Sequence, residues 1–132
     1  MPTAPPAAGP APRDQRGLSG SVQWSMLVPV VLVIVLGTIQ VGLWAYGRTA
    51  AAHAAIATAE EAALTGVGAS EARAVGHAIA GAAGLTDLEI NLEVTATDAR
   101  ATVRGRMPTF FDLGQTRVSE QATRPLERVV RP

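Results

Sequence analysis

The chain has 132 residues, and its 11 basic residues, all arginine, are balanced by 11 acidic ones. A neutral chain of this length allows one small folded domain beside any membrane segment and removes the bulk-charge argument for nucleic-acid binding. With no cysteine, disulfides, thiolate metal sites and cysteine nucleophiles are excluded as well.

The first twelve residues, MPTAPPAAGPAP, are rich in proline and alanine and carry almost no apolar bulk. Such a segment cannot offset its chain entropy by burial, so residues 1–16 are expected to form a disordered tail. Residues 17–47 then contain no charge at all, with an apolar heart at 22–46. About 20 apolar residues in a helix cross a bilayer core, so this run is a predicted transmembrane helix. Trp24, Trp44 and Tyr46 stand near its ends, where amphipathic rings favour the lipid–water boundary. The run is much longer than the apolar core of about 7–15 residues in a cleaved secretory signal. Arg13 and Arg16 precede the span, whereas Arg48, Glu60 and Glu61 follow it. The positive-inside rule places the tail in the cytoplasm and the C-terminal part outside.

Beyond Arg48 the sequence TAAAHAAIATAEEAALTG has no helix breaker before Gly66. The membrane helix is therefore expected to extend outside the bilayer, giving one unit over 17–66. Its methyl-lined surface suits close approach of another helix backbone. A second helix is predicted from Ser70, as N-cap, to about Ala83, with Gly84 as its stop.

In LEINLEVT, Leu88, Ile90, Leu92 and Val94 alternate with Glu89, Asn91, Glu93 and Thr95, the period of a half-buried strand. ARATVRGR repeats the pattern with Ala99, Ala101 and Val103 inward, and the short ATD between the two marks a hairpin. That pairing sets Glu89 and Glu93 among Arg100, Arg104 and Arg106, where cross-strand ion pairs are expected. PTFFDLG reads as a loop carrying Phe110 and Phe111, which either plug the sheet's core or contact a partner protein. QTRVSEQAT, and LERVV beyond Pro125, supply a third, edge-like strand. The expected fold class is α+β and membrane-anchored. A long N-terminal helix leads into a small extracytoplasmic domain, 67–132, of one short helix and a three-stranded antiparallel meander covered by that helix.

No constellation for catalysis emerges. His53 and His77 lie on different predicted helices, neither with an acidic or histidine residue at i+3 or i+4. Glu60 and Glu61 are adjacent on a helix and point in different directions. GVGASE lacks the glycine spacing of a dinucleotide fingerprint and the lysine of a phosphate loop. Enzymatic activity, a cofactor and a metal are not expected.

The polar residues of the span are its most informative feature. Arg16-Gly17, Val22-Gln23-Trp24, Pro29 and Gly37-Thr38-Ile39-Gln40-Val41-Gly42, followed by the alanine-rich helix, fall in one order. In that order the segment from Arg16 to Gly66 resembles the N-terminal segment of TadE-like proteins, the pseudopilins of Tad (tight adherence) pilus systems. The C-terminal third looks like the ending of short actinobacterial-type members. The resemblance implies a structural or assembly subunit, a minor pseudopilin of a pilus or related secretion apparatus. It further implies packing through Gln23, Pro29, Gly37, Gln40 and Gly42 against other pilin or pseudopilin subunits and an assembly platform. A prepilin peptidase would then act at Gly17 or Gly20. Family members generally carry glutamate where Gln23 stands, and the interval from Gly17 to Gln23 is one residue longer than usual. A single-pass anchored binding module outside any pilus is the alternative that the residues leave open.

Overall fold

A computed structural model describes residues 1–9, 16–109 and 117–127, with side chains in the first helix described from residue 20. The chain divides into two compact units, Met1–Leu36 and Gly37–Pro132. Five elements follow in order: α1 (Arg16–Ala63), α2 (Ala69–Ala82), β1 (Thr86–Val94), β2 (Asp98–Arg106) and β3 (Arg117–Pro125). The strands form one antiparallel sheet in the order β1-β2-β3. The long apolar helix, short second helix and small open meander are the fold expected from the sequence. Phe110 and Phe111 lie outside the described residues.

In the first unit, α1 carries apolar side chains on every side. Trp24, Met26, Val28, Val33 and Ile34 are all more than half exposed. Pro29 lies inside this helix, where it removes one i→i−4 hydrogen bond.

The second unit has the core. Along α1, Gly47, Ala50, Ala51, Ala54, Ala55, Thr58, Ala59 and Ala63 are buried, the three–four spacing of one helical stripe. One core cluster joins Ala50, Ala51, Ala54 and Ala55 to Ala80, Leu85, Ile90, Val103 and Val118. A second joins Ala59 and Ala72 to Leu92 and Ala101. The alanine face expected to receive foreign helices is thus occupied by the chain's own sheet and second helix. The sheet's apolar face, assigned from sequence to α2 alone, is shared between α2 and α1.

Small side chains make this packing possible. A Cβ at Gly76 of α2 would overlap the Thr58 hydroxyl and stand 2.8 Å from Ile90 Cδ1 and 3.5 Å from the Ala54 carbonyl oxygen. Thr58 is fully buried and satisfies its hydroxyl by donating to the Ala54 carbonyl at 2.7 Å. The helices can approach this closely only because position 76 has no side chain.

The N-cap of α2 differs from expectation. Gly68, extended at φ −79° and ψ 151°, takes the cap position, and its carbonyl accepts from the amides of Glu71 and Ala72 at 3.1 Å. Ser70 lies two residues further in, as the second residue of the helix, and makes no capping bond. The C-terminus follows expectation: Gly84 has φ +87°, its amide bonds Gly81 at 2.9 Å, and Leu85 bonds Ala80 at 3.1 Å. This paired closure needs the left-handed conformation that glycine adopts without penalty.

The β1–β2 register pairs Glu89 with Arg104 and Glu93 with Arg100, as the charge pattern suggested. Those ion pairs nevertheless do not close; among the described residues the pairs are Arg48–Glu120, Arg106–Asp87 and Arg124–Glu60. Val94 is a second departure: it ends β1 beyond the reach of either helix and is 53% exposed. At the hairpin, the Thr95 hydroxyl donates to the Asp98 carbonyl at 3.2 Å and accepts from the Asp98 amide at 3.1 Å.

Two ion pairs fix how β3 lies along α1. Arg48 Nε donates to Glu120 at 2.7 Å, and Arg124 reaches Glu60 at 3.1 Å. The charges are crossed, so the reversed strand direction would set arginine against arginine and glutamate against glutamate. Exposed pairs of this kind contribute about 0.2–1 kcal/mol each, so they select register more than they stabilise.

Three predictions follow from this packing, all read by thermal unfolding of the full chain in detergent micelles. Gly76→Ala should destabilise the domain by about 1–2 kcal/mol, overpacking outweighing its gain in helix propensity. Gly81→Ala, with open space around it, should stabilise by about 0.5–1 kcal/mol. Glu60→Arg should lower stability by up to about 1 kcal/mol, and adding Arg124→Glu should recover most of the loss.

Candidate assembly surface

The largest unsatisfied surface of the protein is the apolar helix itself. Gly20–Ala63 contains a window long and apolar enough to cross a membrane, and none of that window is buried. One face forms a shallow apolar hollow between Trp24, Leu27, Val28, Val31, Leu32 and Val35, spaced by three and four residues. Water is a poor solvent for such a surface; lipid or another apolar helix is a good one.

The residues singled out by sequence all lie on α1. Gly17 and Gly20 are within its first turns, and a Cβ at Gly20 would meet nothing within 4 Å. Gln23 and Pro29 are exposed. Gly37 and Gly42 are also open to at least 4 Å, while Gln40 is half-buried. Gly37 and Gly42 therefore leave shallow, unfilled places on the helix surface, where a second backbone can come close. A glutamine amide in hydrocarbon needs donors and acceptors, so Gln23 is the costly residue here if lipid alone surrounds it.

A cluster that sequence reasoning missed marks where the apolar run ends. Arg48 is the first charge after it; its guanidinium lies 5.2 Å from the Trp44 ring centroid and also bonds Glu120. Beside it Met107 covers Gly47, with Cβ, Cγ and Sδ 3.2–3.5 Å from the place of a Cβ. The i,i+4 spacing of Trp44 and Arg48 was the available signal. Glu120 gave none, since its partner is 72 positions away in sequence.

Among the described residues, no group of three or more histidine, cysteine, aspartate or glutamate side chains is placed to hold a metal ion. His53 and His77 are both exposed. The chain carries no catalytic motif.

No curated protein and no solved structure matches the chain. A family model does match residues 19–63, the segment holding the exposed span and the buried alanine stripe. Residues 19–63 of this membrane-anchored chain are similar to the TadE-like protein family.

Proposed function

We propose that the protein is a structural or assembly subunit, a minor pseudopilin-like component of a Tad-type pilus or related secretion apparatus. The observation that carries this reading is that the segment similar to TadE-like proteins includes a membrane-length apolar window, none of it buried among the described residues. Residues 17–66 act as the pilin-like helix and 67–132 as the extracytoplasmic head, with residues 1–16 a cytoplasmic tail. This orientation follows the excess of arginine before the span. Helix–helix packing in the membrane or filament, through Gln23, Pro29, Gly37, Gln40 and Gly42, is the mechanism. Other pilin or pseudopilin subunits and the assembly platform are the partners.

Three experiments test this reading. Cysteine at Gln40, oxidised in native membranes, should give a disulfide-linked dimer or a partner adduct when the partner also bears cysteine at its matching position. Gln23→Leu should weaken association roughly 3–30-fold, the worth of one interhelical hydrogen bond of about 0.6–2 kcal/mol. Monomer alone under both conditions would sink the packing mechanism. Intact mass and N-terminal sequencing of membrane-extracted protein should show a mature start at Leu18 or Ser21. A start at Met1 or Pro2 would instead make the chain an unprocessed accessory subunit.

A further inference from the structure

The end of the sheet nearest the apolar run is rich in arginine. Met107 on Gly47 and Glu120 on Arg48 hold the β2–β3 end level with the point where α1 acquires its first charge. At that end a hollow is lined by Asp87, Glu89, Arg104, Arg106, Arg117 and Ser119, among others. Arg106 and Arg117 are direct cross-strand partners, an arrangement that like charges disfavour. Asp87 offsets part of this at 3.9 Å from Arg106, and Glu89 stands opposite Arg104. Arg117 joins no ion pair among the described residues. The hollow therefore keeps cationic capacity after its own acids are counted.

Where α1 is in a bilayer, residues 44–48 lie at the headgroup level, with Trp44 as the interfacial ring. The hollow, at the same end of the sheet as Met107, then lies at the height of the residues that meet the phosphate layer. We infer that the Arg104, Arg106 and Arg117 hollow binds the headgroup phosphate of an anionic phospholipid. Arg106 and Arg117 grip the phosphate from two strands, which removes their mutual repulsion and holds the sheet down on the membrane. This rests on the reading of α1 as a membrane span, not on pilus assembly.

Native mass spectrometry of the full chain released from detergent, offered phosphatidylglycerol and phosphatidylcholine, tests the inference. Wild type should retain phosphatidylglycerol in preference. The double variant Arg106→Gln/Arg117→Gln should lose that preference roughly tenfold, with binding of phosphatidylcholine unchanged. Arg100→Gln, at the hairpin end of the sheet, should keep it, and circular dichroism should show all variants folded. Equal retention of the two lipids by wild type would overturn the inference. So would an Arg100→Gln loss as large as the double variant's, or displacement of the lipid by inorganic phosphate. Failure of the span reading would look different: the chain would not float with vesicles of either lipid.

Discussion

The alanine stripe of α1 from Ala50 to Ala63 is the constraint on which the domain depends. Three strands and a helix of 14 residues offer little apolar bulk, and among the described residues Val103 and Thr58 are the largest fully buried side chains. Such a core gains its density from close approach, not from large residues filling space. Alanine on α1, Gly76 on α2, and Ala99 and Ala101 on β2 let three backbones come together around Ile90, Leu92 and Val103. The second unit is built on the outer part of α1, so that helix is a structural member of the domain and more than a tether.

One helix thereby serves two environments. Residues beyond Gly47 present small side chains to a protein interior, and the residues before it leave large apolar ones exposed. The change occurs at Trp44, Gly47 and Arg48, where charge first appears and Met107 and Glu120 meet the helix. Val and Leu before that point would be too bulky to admit the sheet, and the alanines after it would anchor weakly in hydrocarbon.

Much of the fold was legible in the sequence, and the failures have local causes. Strict alternation in LEINLEVT and ARATVRGR gave both strands and their register, because a one-residue slip would turn every side chain to the wrong face. Gly84 was readable as a stop because left-handed backbone selects glycine. Ser70 misled because serine's capping preference is only a tendency, and Gly68 in extended backbone opened the helix earlier. The charge pattern set Glu89 and Glu93 among the arginines of β2, as the register does, but ion pairs did not close, since exposed side chains gain little by closing. On the candidate assembly surface, Gln23, Pro29 and Gly37 stood out against an apolar background. The Arg48–Glu120 and Glu60–Arg124 contacts did not, because nothing local links helix positions to strand positions so distant in the chain.

The occupied alanine stripe also bears on how such a chain can associate. Methyl-lined helices are suited to packing on one another, and from sequence the stripe after Arg48 was the natural contact for a second subunit. Opening it to a partner would require exposing Ile90, Leu92, Val103 and Val118, at a cost of about 1.5–3 kcal/mol for each large side chain returned to water. A partner helix offering only alanine would not recover that. Association through α1 with the head still folded is therefore confined to the span and to the opposite face of the outer helix, where His53 is exposed. The first of these surfaces is apolar and the second is polar, so the span is where contact gains most.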